Sequence, residues 1–240
     1  MTLAISAKRL YRRGRTEVNR LLGRIPRHRV QIRLTAEYHG SDTAGWWVAP
    51  ELLKPGSIVY SCGVGEDISF DLSVIEKFGA EVYAFDPTPR SIEWVKSLSF
   101  LPSAFHFFPY AIGGQDGEAL FYPPVERCHV SHSLLRRAAT ADEAFRVEVR
   151  RLSTLMDMLG HRQLDVLKLD VEGAEYEVIS DLLSSSISVT QILVEFHVGL
   201  AFQPLSIDDV NRSIRQLQAA GFKIFCISDN GLEYSLARIR

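Results

Sequence analysis

Cysteine is scarce: Cys62, Cys128 and Cys226 are the only three in 240 residues, and no two form a C-x-x-C pair. An odd number so widely spaced speaks against a disulfide framework and a thiolate zinc site, and the expectation is a reducing, cytoplasmic compartment. No run approaches about 18 apolar residues, so no membrane span is expected. The N-terminal stretch lacks the apolar core and small-residue cleavage site of a secretory signal. Internal repeats and low-complexity tracts are missing as well. What is present, 46% hydrophobic and 23% charged residues, is ordinary for a globular chain whose length suits one α/β domain.

A further absence is more informative. Ser57 to Cys62 is a short strand-like run, and Gly63-Val64-Gly65 follows it before an amphipathic segment with Phe70, Val74, Ile75 and Phe78 on one side. This strand-turn-helix order makes a seat for a nucleotide, because glycine permits close backbone approach and the helix start offers unpaired N–H groups. In a dinucleotide-binding G-x-G-x-x-G the third glycine would stand at Ile68, so the pyrophosphate pattern fails. Glu81 to Phe85 reads as a second strand ending on Asp86 and Pro87. That carboxylate lies about 20 residues past the glycines, where it can take both hydroxyls of a ribose. A nucleoside without a pyrophosphate fits best, and S-adenosylmethionine is the common one.

The near-neutral balance of 27 basic and 29 acidic residues conceals an asymmetry. Ten Lys and Arg lie at or before Arg33 against Glu17 alone, which leaves 17 basic and 28 acidic residues beyond it. The chain is a basic arm (1–34) on an acidic domain (35–240). In the arm, Val18, Leu21, Leu22 and Ile25 share one helical edge, with Thr16 placed as cap and Pro26 as stop. Three uses compete for it: packing on its own domain or on a second copy, contact with an anionic membrane, and contact with nucleic acid, the least favoured.

In chain order, Trp46-Trp47-Val48 precedes a short helical Ala49 to Leu53, and the tryptophans either cover a sheet edge or close over a substrate. A helix over Arg90 to Leu98 follows the second strand. Phe105 to Ile112 is expected as one third strand, whose end makes Ala111 and Ile112 candidates for an apolar adenine wall. Glu118 to Tyr122 adds a strand. The polar segment Pro123 to Ala141 carries Cys128, His129 and His132 at no standard metal spacing, and a mobile substrate loop is the expectation. Phe145 to Leu152 alternates as a strand, and Ser153 is expected to cap the helix ending at Gly160. Leu164 to Asp170 and Ile192 to His197 read as parallel strands four and five. The helix Ile207 to Ala220 and an antiparallel pair, Phe222 to Ile227 and Glu233 to Arg238, complete the sheet.

Taken together, Gly63-Val64-Gly65, Phe85-Asp86-Pro87-Thr88-Pro89, Leu167-Lys168-Leu169-Asp170-Val171-Glu172-Gly173-Ala174-Glu175 and Val194-Glu195-Phe196-His197 resemble the FkbM-type family of S-adenosylmethionine-dependent methyltransferases. The resemblance runs from about Ser57 to His197, and the L-K-x-D-x-E-G-A-E run is its specific part. It implies the three-layer, Rossmann-like class I methyltransferase fold, seven strands with the last antiparallel. The implied reaction is methyl transfer to a hydroxyl, often on a sugar or secondary metabolite. The family usually has an acid at Ser61, where it helps orient the methionine end of the cofactor, and a glycine at Asp67. Glu66 and Asp67 are the candidates to replace that acid.

Methyl transfer from a sulfonium is an in-line displacement, which asks the protein to align an oxygen and remove its proton. Asp170 and His197, at the ends of neighbouring strands, are the candidates. Histidine needs only a small pKa shift to serve near neutral pH. Each has a plainer alternative, Asp170 as a helix cap and His197 as a satisfied strand-end residue. Glu172 and Glu195 stand near the same rim, so a divalent cation that holds a diol is a further alternative. The expected cofactor set is Ser61, Gly63, Gly65, Asp67, Asp86, Pro87, Ala111, Ile112 and Asp170, and the expected partner is a small hydroxylated molecule. Lys168 faces away from Leu167 and Leu169 and has no assigned role. Two competing functions are an inactive cofactor-binding scaffold, favoured by Ser61 and the basic arm, and an RNA methyltransferase using that arm. The second lacks the D/N-P-P-Y/F signature of amino-directed enzymes, and its basic residues are segregated instead of interleaved with aromatics.

Overall fold

The computed structural model describes residues 14, 16, 18, 19, 22–123, 132–135, 138–199 and 202–239. Seven strands form the main sheet: β3 (Ile58–Cys62), β4 (Glu81–Phe85), β5 (Phe105–Phe108), β9 (Gln163–Leu169), β10 (Ser188–Glu195), β11 (Lys223–Ile227) and β12 (Glu233–Ala237). Their spatial order is β11-β12-β10-β9-β3-β4-β5, and β12 alone runs against the rest. Two short strands, β1 (Glu37–His39) and β2 (Trp46–Val48), pair as a hairpin ahead of the sheet. This is the expected class I methyltransferase topology, seven strands with an antiparallel last one.

The central strands are buried on both faces, as parallel strands under helices must be. Alternate residues serve opposite layers. Val59, Val82 and Val166 face α1 (Ser69–Phe78) and α2 (Pro89–Ser97). Tyr60, Cys62, Leu167 and Leu169 face α3 (Leu152–Leu159), α4 (Glu175–Ser184) and α5 (Ile207–Ala219). The cost of that period is that a polar residue in the series is buried too. Ser61, Lys168 and Gln191 are each 5% exposed or less. Gln191 is satisfied by the backbone of Ala49, accepting its N–H at 2.8 Å and donating to its carbonyl at 3.2 Å. This clamp ties the β2 segment to the sheet.

Three sequence expectations shift. Phe105 to Ile112 is not one strand. Pro109 cannot donate to a ladder, so the chain breaks after β5, and Ala111–Ile112 (β6) leaves the main sheet to pair with β8 (Phe145–Arg150), which also pairs with β7 (Gly117–Phe121). The segment after Ala49 is a single 3-10 turn, Pro50–Leu52, rather than a longer helix. Helix α3 starts one residue early and Ser153 does not cap it; Asp116, from the turn before β7, accepts from the Arg151 N–H at 2.9 Å and from the Thr154 hydroxyl at 2.7 Å.

Most of the expected arm helix lies outside the described residues, as do Cys128 and His129. Thr16 does not show the expected cap; its hydroxyl donates to the carbonyl of Asp229. Ile25 is buried, whereas Val18 and Leu22 are exposed. Further along, the Gln31 N–H donates to the Ile224 carbonyl at 2.7 Å, and Ile32, Leu34 and Ala36 pack on Phe225 and Ala237. No helix of the described residues is long and apolar enough to cross a membrane.

Candidate active site

The carboxyl ends of β3, β4 and β9 open onto a cavity of about 250 Å³, the place where open α/β sheets bind ligands. Its floor is the glycine turn. Gly63 has φ +86, and a Cβ there would lie 1.9 Å from the carbonyl oxygen of Asp170, so the turn tolerates no side chain. Asp86, 6% exposed, is the post that holds this turn. One carboxylate oxygen accepts from the N–H groups of Val64 at 3.0 Å and Gly65 at 2.9 Å. The other accepts from the N–H and hydroxyl of Thr88 at 2.9 and 2.7 Å. Four bonds fill the usual acceptor capacity of a carboxylate. The expected ribose ligand thus already organises the seat, and a ribose would have to exchange for one of these bonds.

Pro87 and Thr88 line the cavity beside Asp86, and Tyr110, Ala111, Ile112, Phe121 and His132 supply its apolar flank. Ala111 and Ile112 reach it from β6, not from the end of the third strand. The opposite end is acidic. Asp67 lines it while accepting from the Ser69 N–H at 2.8 Å and the Ser41 hydroxyl at 2.7 Å. Burial works against its ionisation, but the bonds from Ser69 and Ser41 prevail and hold it below the ordinary carboxylate range.

Ser61 is fully buried, does not line the cavity, and its hydroxyl has no partner. It is paired across β3 and β9 with Lys168, whose ammonium donates to the Gly63 carbonyl at 2.5 Å and lies 5.6 Å from the Trp46 ring centroid. The acid in this corner comes from α1. Asp71, 2% exposed, lines the cavity with one oxygen unpartnered. Burial pushes its pKa up to about 6, against the lowering charge of Lys168 and the influence of the neighbouring Ser61 hydroxyl. Sequence reasoning missed Asp71, because a helix-interior aspartate two residues after Ser69 looks like a first-turn acid facing solvent. The signal was its spacing: it precedes Val74 by three and Phe78 by seven on the buried side.

Beyond the turn, Asp170 and Glu172 form the cavity's mouth. His197 does not line it, but its Nε2 lies 3.8 Å from Asp170 Oδ1 and 3.6 Å from Glu172 Oε2. Parallel pairing of β9 and β10 brings these strand ends side by side. Nδ1 of His197 hydrogen-bonds Glu175 Oε1 at 2.8 Å. Glu175 is fully buried and pinned by the N–H groups of Val171 at 3.1 Å and Gly173 at 3.1 to 3.2 Å. Desolvation alone would lower the His197 pKa, but Glu175, Glu172 and Asp170 together raise it to about 10. The expected small shift is therefore a large one, toward the imidazolium, and it weighs against His197 as the base. Desolvation, with the charge of Asp170 beside it, also raises Glu195 to about 8.

The segment Ser61–Ile224 matches the model of the methyltransferase FkbM domain. Among curated proteins the chain is similar to the probable methyltransferase-like protein 24 of Homo sapiens, 28% identical over 144 residues, covering 58% of this chain and 32% of that protein. The rat counterpart, from Rattus norvegicus, is 26% identical over 143 residues with the same coverage. The match thus spans about a third of the length of these relatives. Solved structures with a related outline include a fibrillarin pre-rRNA processing protein of Methanococcus jannaschii, with 12% identity, a TM-score of 0.47, and coverage of 80% of this chain and 69% of that one. Another is Aeropyrum pernix fibrillarin in complex with natively bound S-adenosyl-L-methionine, with 10% identity, a TM-score of 0.43, and coverage of 90% and 86%. With the family model covering well over half of its length, the chain belongs to the FkbM methyltransferase family.

Proposed function

We propose that this protein transfers the methyl group of S-adenosylmethionine to a hydroxyl oxygen of a small, uncharged, polyhydroxylated acceptor, a sugar or a glycosylated metabolite. The observation that carries the reading is the arrangement of one cavity. A glycine turn too tight for any Cβ, an apolar flank, an acidic corner and the two carboxylates of Asp170 and Glu172 line it together. A nucleoside bearing an amino acid fits these parts. Ala111, Ile112, Tyr110 and Phe121 offer a wall for an aromatic base, Gly63 to Gly65 allow close backbone approach, and Asp71 and Asp67 oppose an ammonium group.

The cofactor supplies an electrophilic methyl on a sulfonium. The protein's task is to hold an acceptor oxygen in line with it and to take up the hydroxyl proton. Asp170 and Glu172 do both, as hydrogen-bond acceptors at the mouth. His197, set back behind them, positions them. The acceptor oxygen forms the new C–O bond as the C–S electron pair returns to sulfur, and nothing is oxidised or reduced. The choice of an uncharged acceptor follows from the described lining, in which Lys168 and His132 are the basic residues against six acids, Glu66, Asp67, Asp71, Asp86, Asp170 and Glu172. Such a mouth repels phosphate, which weighs against RNA.

Calorimetric titration with S-adenosylhomocysteine tests the reading. One-to-one binding is expected, weakened at least tenfold in Asp86→Ala. Absence of binding at millimolar ligand, or full methyl transfer by Asp86→Ala, would overturn it.

A further inference from the structure

We propose that Asp170, Glu172 and His197 hold a divalent cation, and that this ion binds the acceptor through two adjacent oxygens. The inference deepens the reading above and rests on it for the identity of the cavity. Among the described residues these three form a group in which one ligand atom from each lies within 4.8 Å of the others. Neighbouring ligand atoms on an ion at about 2.0 to 2.2 Å lie about 3 Å apart, so the donors now 3.6 and 3.8 Å from Nε2 close by somewhat under 1 Å, within the reach of side-chain adjustment.

What separates this group from a chance meeting of acids is the way its histidine is built in. Glu175, with no exposed surface, takes Nδ1 of His197 at 2.8 Å and leaves Nε2 facing Asp170 and Glu172. A buried carboxylate on Nδ1 keeps a proton on that nitrogen, so that an ion at Nε2 takes the place of the second proton, which is released to solvent; this is the usual support of a metal-ligating histidine. The histidine is fixed from two further sides: the Tyr176 hydroxyl donates to the His197 carbonyl at 3.0 Å, and the Phe202 ring packs on the imidazole with centroids 4.8 Å apart. Glu172 is set by its backbone, with φ +53, and by the Ser133 hydroxyl that donates to its carbonyl. The His197 ring and the Glu172 backbone are therefore held by something other than the ion.

The donor set selects the ion. Two carboxylates alone would suit Mg²⁺, but an imidazole in the set shifts preference to a first-row transition ion such as Mn²⁺ or Zn²⁺. Asp170 and Glu172 line the cavity while His197 stands behind them, so the positions left open on a six-coordinate ion face the place where an acceptor must lie beside the glycine turn. Two neighbouring open positions match adjacent oxygens, which defines the acceptor class as a vicinal diol or an α-hydroxy carbonyl compound. With an ion in place Asp170 and Glu172 hold the ion instead of taking the proton themselves; the ion would supply the acidity of the bound hydroxyl, and the proton would pass to water.

The test uses the full chain and Mn²⁺ followed by electron paramagnetic resonance, in which the six-line signal of the aqueous ion is lost on binding. One Mn²⁺ per chain is expected, with affinity reduced at least tenfold in Glu172→Gln and in His197→Asn and unchanged in Glu118→Gln, an exposed acid on β7. Catechol, as a vicinal diol probe, should alter the spectrum of the bound ion in the wild type. Binding of S-adenosylhomocysteine is measured in the same samples, and its retention in Glu172→Gln shows that the variant is folded. Intact nucleoside binding without Mn²⁺ or Zn²⁺ binding, or Mn²⁺ binding indifferent to both substitutions, overturns the cation site and leaves the cavity reading standing. Loss of S-adenosylhomocysteine binding in the wild type overturns the cavity reading instead. A bound ion whose spectrum ignores catechol overturns the chelating acceptor.

Discussion

Replacing Asp71 by asparagine should make the protein more stable at neutral pH and worse at binding its cofactor. The carboxyl is 2% exposed, one oxygen has no partner, and burial raises its pKa from 3.8 to about 6. The folded state therefore binds this proton more tightly than the unfolded state does. Below about pH 3.8 both states are protonated and the group is neutral for stability. As pH rises toward 6 the unfolded chain ionises first, so stability falls, and above about 6 the full penalty of about 3 kcal/mol is in force. Asparagine resembles the protonated acid and escapes that penalty. Urea unfolding of both proteins from pH 5 to 8 should show the variant ahead by about 1.5 kcal/mol at pH 5 and about 3 kcal/mol at pH 8. In the same pair, S-adenosylhomocysteine should bind the variant about tenfold more weakly, because its ammonium group loses a carboxylate partner. If the variant is the less stable at pH 8, or the gap is flat with pH, the Asp71 charge is compensated by Lys168 and the reasoning fails. If binding is unchanged, Asp71 has no contact with the ligand.

Other substitutions separate the parts of the seat. Gly63→Ala drives a Cβ into the Asp170 carbonyl at a φ of +86, and should cost more than about 3 kcal/mol by urea unfolding or abolish nucleoside binding outright; a stable, ligand-binding variant would mean the turn is not rigid. Asp86→Asn puts an amide NH₂ where an oxygen accepts N–H bonds. It should cost about 2 to 4 kcal/mol, measured as a shift in denaturant midpoint in the absence of ligand. Gln191→Leu removes two buried bonds to Ala49 and should cost about 2 to 3 kcal/mol, with faster hydrogen exchange at the Ala49 amide as the local signature.

The alternation of Val59, Tyr60, Ser61 and Cys62, the glycine pair, and the Leu164 to Asp170 run were enough to read a doubly wound sheet, since side-chain period and turn chemistry are local properties. The same holds for Gly79 and Gly160 as helix ends, both found with positive φ. Where reading failed, a distant residue decided. Phe105 to Ile112 reads in sequence as one strand although Pro109 carries a local signal of the break, and nothing local says that Ala111 and Ile112 pair with β8, about forty residues later in the chain. Helix α3 takes its cap from Asp116 across a gap of 35 residues, which no capping rule anticipates.

The site divides the same way. Sequence alone determined which residue types stand at the strand ends, because the chain must leave each parallel strand at the same edge of the sheet, and Gly63, Asp86, Asp170 and His197 are all placed by that rule. Only the tertiary structure decided what those groups do to one another: that Asp86 is engaged by four bonds to the turn, that Asp71 from a helix fills the corner behind Ser61, and that Glu175 turns His197 toward two carboxylates. The physical reason is range. Strand and helix periods are fixed by covalent geometry within a few residues, whereas burial, charge and hydrogen-bond partnership depend on which side chains the packed sheet brings within about 4 Å.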